Sequence, residues 1–200
     1  MVEQRRTFYQ ILSDPLGKLK SQKSVVWELS SNGNKPGPYV ASHLPSIGVG
    51  LTRLGSGFPR GEPNKIVYVD DPKMPLRDVE AAGTYWVASE AARKLIESFA
   101  ASAVDFAPVD VSIRRSGQDM PAGPRWLCDV IRFEDAIDES ASTLNWYVKQ
   151  PQYDMTGSKF VFKAGLPSDL HLFRLWKAPN TIVCSRELRD AIVGAGLTGV

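Results

Sequence analysis

Length, composition and charge are typical of a soluble globular protein. The chain has 200 residues, of which 43% are hydrophobic and 23% are charged, enough apolar material for one domain with a sizeable core. A net charge of +2 gives no support for nucleic-acid binding, which needs basic residues gathered on one face. No segment has the pattern of a signal peptide or the length of a membrane-spanning helix, which argues against secretion and membrane insertion.

In chain order, the first part of the sequence predicts short strands separated by loops. Strands are expected at residues 8–12 and 25–29. Residues 43–63 are rich in Gly, Ser and Pro, which predicts irregular surface structure. We therefore treat residues 1–64 as an N-terminal extension of strands and loops. Residues 65–200 would form the main domain, with the two parts making one compact unit.

The remainder of the sequence predicts further strands with helices at intervals. The expected strands are residues 65–69, 85–88, 106–113, 126–133, 144–148, 160–162 and 170–176. Residues 90–100 predict a helix, because Ala92, Leu95, Ile96 and Phe99 recur at helical spacing. Residues 114–125 are rich in turn-forming types and predict a loop. Strands in runs favour an α+β fold with mostly antiparallel sheets and a few packing helices.

A strand, a serine and a helix follow one another twice, at residues 86–104 and again at residues 182–200. In register, Val87, Ser89, Arg93, Ile96 and Val104 match Val183, Ser185, Arg189, Ile192 and Val200. Each serine stands where a helix N-cap belongs, since its oxygen can accept from a free N–H of the first turn. Neither serine has an identifiable base, so capping explains both better than nucleophilic catalysis. The repeat is architectural and favours a protein that presents a surface.

Other residue types offer little catalytic or cofactor chemistry. His43 and His171 have no Cys, His or Asp partner at metal-ligand spacing. Residues 48–50 and 55–57 resemble pieces of a phosphate loop, but neither opens a helix after a strand. Cys128 and Cys184 lie in apolar, strand-like segments, which predicts packed, reduced thiols and a cytoplasmic protein. We therefore predict no catalytic, cofactor-binding or metal-binding residue.

An acidic connector, residues 134–139, is the first candidate for function. Glu134, Asp135, Asp138 and Glu139 place four carboxylates within six residues. They could form a solvated turn that caps a neighbouring helix, an acidic patch that binds a partner, or a catalytic or metal site. The glycine and ligand spacing of a calcium loop are missing. As partner-binding candidates we take Asp135, Asp138 and Glu139.

Two adjacent aromatic residues, Trp146 and Tyr147, are the second candidate. On a strand they point to opposite faces, so one of them could be exposed. An exposed aromatic side chain beside charges is typical of a binding hot spot, whereas core packing is the alternative. We include both residues among the partner-binding candidates.

The order of these motifs resembles a known family. Residues 86–93 match its hydrophobic–Ser–helix element, and residues 106–109 match the strand that follows. Residues 130–140, with Asp138 and Ser140, resemble its turn after an apolar strand, and residues 172–175, 182–185 and 188–200 match its end. The family is immunity-protein family eleven of bacterial polymorphic toxin systems, formerly a domain of unknown function.

The resemblance implies a protein that binds a cognate toxin, encoded next to it, and blocks it without catalysis or a cofactor. A toxin that acts in the cytoplasm would fit this interpretation, and a nuclease toxin would present a basic surface to the acidic connector. Two alternatives remain open. One is an enzyme that reverses the toxin's product, using the same carboxylates with Arg132 or Arg174, and the other is a regulatory or scaffold module.

Overall fold

The computed structural model describes residues 8–10, 55–58, 64–69, 76–82, 85–116 and 118–199. Within these ranges the chain forms twelve strands and two α-helices. The strands are β1 (Phe8–Gln10), β2 (Asn64–Val69), β3 (Val79–Ala82), β4 (Tyr85–Ser89), β5 (Val104–Arg115), β6 (Gln118–Pro121), β7 (Arg125–Val130), β8 (Phe133–Glu134), β9 (Thr143–Trp146), β10 (Tyr153–Lys159), β11 (Leu172–Leu175) and β12 (Ala178–Ser185). The helices are α1 (Glu90–Ala100) and α2 (Arg186–Gly194).

The described strands form three sheets. The largest has six strands, in the order β2-β5-β7-β4-β3 with β6 paired to β5. The second has four strands in the order β1-β12-β11-β8, and β9 and β10 form a hairpin of their own. Only the β2–β5 and β8–β11 pairs are parallel among these ladders. The α+β prediction of mostly antiparallel sheets with a few helices is confirmed.

Each helix begins directly after the serine that was predicted to cap it. Ser89 Oγ accepts a hydrogen bond from Ala92 N at 3.2 Å, at the start of α1. Ser185 Oγ accepts from Leu188 N at the same distance, at the start of α2. Capping of the first turn therefore fixes where each helix starts. Neither helix is long and apolar enough to cross a membrane.

The two helices join the large sheets through one shared core. Ile96 of α1 and Ile192 of α2, which match in the sequence repeat, are both in this cluster. The cluster also contains Trp86 of β4 in the six-stranded sheet and Cys184 of β12 in the four-stranded sheet. The repeated element thus gives each of the two larger sheets one helix, α1 after β4 and α2 after β12, and the two helices contact each other in this core.

A second core lies on the other face of the four-stranded sheet and supports the candidate site. Phe173 of β11 and Val183 of β12 are completely buried there, because alternate residues of a strand point to opposite faces. They pack against Ile137 of the acidic connector and Tyr153 of β10. The connector and the β9–β10 hairpin are therefore anchored by apolar side chains.

The predicted segments agree with the structure for most elements and differ for a few. Helix α1 has the predicted bounds, and strands overlap residues 8–12, 65–69, 85–88, 106–113, 144–148 and 170–176. The strand expected at residues 25–29 lies outside the described residues. The single strand expected at residues 126–133 is interrupted. The loop expected at residues 114–125 is wrong in part, because it contains β6, and β3 and β10 were not expected.

The strand predicted at residues 160–162 is wrong. The residues alternate between buried Phe160 and exposed Val161, as a strand would, but Phe162 makes only an isolated bridge to Ile137. The bridge is held by Asp138 N, which donates to the Val161 carbonyl at 2.8 Å, and by Lys163 N, which donates to the Ala136 carbonyl at 2.9 Å. Pairing stops there, because Val161 N donates to the Ser142 hydroxyl at 2.8 Å and not to a strand. The true strand, β10, comes just before this segment.

Candidate functional site

The acidic connector crosses the base of the β9–β10 hairpin, and its first carboxylate already has a cationic partner. Asp135 Oδ2 lies 2.6 Å from Lys163 Nζ. The side chains of Asp135 and Lys163 are 57% and 42% exposed. An exposed ion pair of this kind contributes little to stability, about 0–1 kcal/mol. Its larger effect is to neutralise the charge that Asp135 could present to a partner.

Asp138 organises the turn that ends the connector. Its Oδ1 accepts from Ser140 Oγ at 2.6 Å, from Ser140 N at 3.0 Å and from Ala141 N at 3.2 Å. The hydrogen bond from the Ser140 hydroxyl, followed by those from backbone N–H groups, lowers the pKa of Asp138. The expectation of a capped turn is thus confirmed in part, since the cap closes a turn rather than a helix.

Glu139 belongs to a cluster of charged and aromatic side chains. It forms an ion pair with Lys177 and accepts a hydrogen bond from Tyr153 Oη at 2.9 Å. Lys177, and then Tyr153, lower the pKa of Glu139 below its ordinary value. Burial, and then the bond to Glu139, raise the pKa of Tyr153. The carboxylate is therefore held ionised by two partners from other elements.

Trp146 packs on this cluster and remains partly exposed. Its ring packs edge-on against Tyr153, with centroids 5.0 Å apart, and Lys177 Nζ lies 5.3 Å from the ring centre. Trp146 is 44% exposed and Tyr147, which follows the end of β9, is 52% exposed. Core packing is excluded for both residues. The sequence predicted that one of the two could be exposed, and both are exposed because β9 ends at Trp146 and Tyr147 lies beyond it.

The structure adds residues to this surface that sequence reasoning missed. Lys177 and Trp176 lie in the tight turn between β11 and β12, and the Lys177 carbonyl accepts from Tyr153 N at 2.8 Å. Trp176 is 64% exposed and Val148, beyond Tyr147, is fully exposed. The segment around Trp176 gives a strand pattern in sequence, and nothing in it indicates that the tryptophan falls in the turn.

Of the two segments that resemble pieces of a phosphate loop, residues 48–50 lie outside the described residues, and residues 55–57 lie against carboxylates of the chain itself. Gly57 N donates to Asp129 Oδ2 at 3.1 Å, and Phe58 N donates to Asp105 Oδ2 at 2.7 Å. Gly57 has a φ of +74°, and a Cβ there would lie 2.7 Å from Asp105 Oδ2. The backbone N–H groups of residues 57 and 58 therefore stabilise internal anions, and glycine is required for the close approach.

Arg174 is buried between the two large sheets and is unavailable for chemistry at the surface. Its guanidinium lies 3.2 Å from Asp129 Oδ1 and donates to the carbonyls of Val130 at 2.7 Å and Pro179 at 3.0 Å. Burial raises the pKa of Asp129 and lowers that of Arg174, because each charge has left water. The pair joins β7 to β11 across the sheets.

The remaining enzymatic candidates also have structural partners. Arg132 Nε lies 2.8 Å from Glu134 Oε1. Ser185 does have a nearby base, contrary to expectation, because His171 Nδ1 lies 2.8 Å from its Oγ. However, Ser185 is only 2% exposed and its oxygen already caps α2, so a substrate has no access to it. Among the described residues no group of three His, Cys, Asp or Glu side chains could hold a metal ion.

The cysteines match the prediction of packed thiols. Both Cys128 and Cys184 are free and buried. Burial raises the pKa of each thiol, which keeps it protonated and unreactive.

The structure defines the class of the protein as α+β, with exposed aromatic side chains beside ion-paired carboxylates. Comparison with known families specifies this class further. The chain matches the model of the Immunity protein family (Imm11) over residues 9–200, which is nearly its whole length. The chain therefore belongs to this immunity protein family, and the resemblance noted in the sequence is confirmed. A comparison with curated proteins gives no match.

Proposed function

We propose that this protein neutralises a cognate bacterial toxin by forming a stoichiometric complex with it. The binding surface would be the hairpin face, which we define as Asp135, Asp138, Glu139, Trp146 and Tyr147. Family membership supplies the general role of toxin immunity. The observation that carries the proposal is the exposed Trp146, held in place by Tyr153 and Lys177.

Preorganisation makes this surface suitable for tight binding. Hot spots of protein interfaces are enriched in Trp and Tyr, which bury a large area on binding. Ordering a side chain on binding costs free energy, and less is lost when packing already fixes its position. Trp146 meets this condition, because Tyr153 and Lys177 contact its ring while the residue stays 44% exposed. Charged neighbours around the ring would form the polar rim that is typical of interfaces.

Neutralisation without catalysis agrees with the state of the candidate catalytic groups. Arg174 and Ser185 are both at most 2% exposed. Asp135 and Glu139 have lysine partners, and Asp138 is occupied by its own turn. These carboxylates are therefore better suited to holding the surface in shape than to acid–base catalysis. We further propose that the toxin is encoded beside this protein and is met in the cytoplasm.

Co-expression with the neighbouring toxin gene tests the proposal. We expect growth to be restored, the two proteins to co-purify, and toxin activity to fall linearly to zero at an equimolar ratio. An enzyme that reverses the toxin's product would instead protect at sub-stoichiometric amounts. It would also lose protection, but not binding, in Asp138→Asn. Failure both to form a complex and to relieve growth arrest would exclude the immunity role for this toxin.

A further inference from the structure

We propose that a strand of the toxin pairs through its backbone with the outer edge of β9, the edge that faces away from β10. This inference rests on the proposed function and specifies how the toxin is held. The hairpin face supplies side-chain contacts, whereas the outer edge supplies backbone hydrogen bonds from Leu144 and Trp146. The partner is therefore an extended segment that has unpaired backbone N–H and C=O groups of its own.

Hydrogen bonds within the hairpin determine which backbone groups of β9 point outwards. Asn145 N donates to a serine hydroxyl of β10 at 2.9 Å, and Tyr147 N donates to the Gln152 carbonyl at 3.0 Å. Both of these N–H groups therefore point towards β10. Because successive residues of a strand direct their N–H and C=O groups to opposite sides, the backbone groups of Leu144 and Trp146 point away from β10.

The register of the hairpin leads to the same result. Trp146 stands opposite Tyr153, and Tyr153 N donates outwards from the hairpin to the Lys177 carbonyl at 2.8 Å. The two residues are therefore a non-hydrogen-bonded pair, in which the backbone groups of both face outwards. On the β9 side no described strand follows. Among the described residues, neither Leu144 N nor Trp146 N has a hydrogen-bond partner.

The strand β9 lacks the residues that normally prevent pairing at an exposed edge. Proteins block such edges with charged side chains, with proline or with a covering segment. The four residues Thr143–Trp146 include neither a charged residue nor a proline, and three of them are exposed. Its partner β10, in contrast, carries Asp154 and Lys159. The outer edge of β9 therefore offers two N–H donors and two carbonyl acceptors to an incoming strand.

The side chains of β9 indicate what kind of strand fits beside it. Leu144 and Trp146 project from one face of the hairpin, where they pack against apolar and aromatic side chains. Thr143 and Asn145 project from the opposite face and are exposed. Side chains that stand opposite each other on paired strands interact. The toxin strand should therefore carry apolar residues on the first face and polar residues on the second.

A second copy of this chain fits the outer edge less well than a toxin strand does. Two copies that paired through β9 would contribute four residues each, whereas a stable interface takes about 20–30 residues a side. The toxin can contact the hairpin face at the same time, because Trp146 belongs both to that face and to the edge. The mass of the free protein, measured by light scattering, tests the alternative and should be that of a monomer.

Amide hydrogen exchange of the full-length protein tests the edge without any substitution. It is measured by NMR for the free protein and for its complex with an inactivated form of the neighbouring toxin. In the free protein the amides of Leu144 and Trp146 should exchange rapidly, because they donate to water. In the complex both should exchange at least about 100-fold more slowly. In the toxin, the newly protected amides should fall at alternate positions of one extended segment.

A pair of substitutions at Leu144 separates the backbone contact from the side-chain contact. Leu144→Pro removes the outward N–H, and an edge strand accepts proline where its N–H faces solvent. Leu144→Val keeps the N–H, changes the same side chain and suits a strand. Leu144→Pro should raise Kd at least about fivefold in biolayer interferometry, because a carbonyl of the toxin strand loses its donor. Leu144→Val should bind within about twofold of the unmodified protein.

The possible outcomes separate the two proposals. If the unmodified protein does not bind the toxin, the proposed function fails and the edge pairing fails with it. If the complex forms but the amides of Leu144 and Trp146 exchange as in the free protein, the edge pairing is refuted while the function stands. Equal binding by Leu144→Pro and Leu144→Val leads to the same conclusion. If both amides already exchange slowly in a dimeric free protein, a second copy occupies the edge and its assignment to the toxin is overturned.

Discussion

Replacement of Arg174 by methionine should destabilise the protein strongly. The side chains of Arg174 and Asp129 are 1% and 0% exposed, so the pair is shielded from water. Removing the guanidinium leaves the Asp129 carboxylate buried and without its cation. It also leaves the Val130 and Pro179 carbonyls without this donor. Breaking a buried pair in this way costs about 3–5 kcal/mol.

The loss in the free energy of unfolding is measured by urea unfolding, monitored by tryptophan fluorescence and by circular dichroism, and the melting temperature is measured by heating. For a chain of this size, each kcal/mol lowers the melting temperature by about 2–4 °C, so Arg174→Met should melt at least about 6 °C lower. Adding Asp129→Asn should recover part of the loss, because the uncompensated charge is then absent while Gly57 N keeps an acceptor. Lys163→Met, which breaks an exposed pair, should cost at most about 1 kcal/mol.

Two results would refute this reasoning. One is a loss below about 1 kcal/mol in Arg174→Met, since the pair would then contribute no more than an exposed one. The other is simple additivity of the Arg174 and Asp129 substitutions, because residues in direct contact should couple.

Further predictions concern helix starts, the glycine turn and the charged cluster. Ser89→Ala should cost about 1 kcal/mol in urea unfolding through loss of the cap of α1. Gly57→Ala should cost at least about 1 kcal/mol, because φ is +74° and the added Cβ would meet Asp105 Oδ2 at 2.7 Å. Lys177→Met should raise the pKa of Glu139 towards its ordinary value of 4.5, as measured by carbon-13 NMR titration. Since the folded pKa of Glu139 is lowered, its stabilising contribution is present above pH 4.5 and is lost as pH falls through the folded pKa. Lys177→Met should therefore reduce the loss of stability in acid.

Local signals in the sequence were sufficient to predict the helices. A serine cap and apolar residues at helical spacing are signals contained within the helix and its first flanking residue, so α1 was predicted with its observed bounds. The hairpin strand β10 gave no such signal, because only Tyr153 of its seven residues is buried and its second half, residues 157–159, contains no apolar side chain. Gly157, with a φ of +74°, adds an irregularity to the β9–β10 pairing. Two-sided polar strands are weakly specified by sequence pattern.

The candidate site could be predicted only where neighbours in sequence define it. The acidic connector and the Trp146–Tyr147 pair were found because their members are adjacent. The partners that determine their state come from distant positions: Lys177 lies 38 residues from Glu139, and Lys163 lies 28 residues from Asp135. Gly57 and Asp129 are separated by 72 residues. No local pattern identifies such contacts, since they result from tertiary packing.

Isothermal titration of the purified toxin with this protein tests the central claim most directly, with residual toxin activity measured on the same mixtures. Stoichiometric neutralisation predicts that the titration saturates at one molecule of this protein per toxin molecule. Toxin activity should fall in proportion to the amount of complex formed. Full protection at a small fraction of an equivalent, or full toxin activity in the saturated complex, would contradict it.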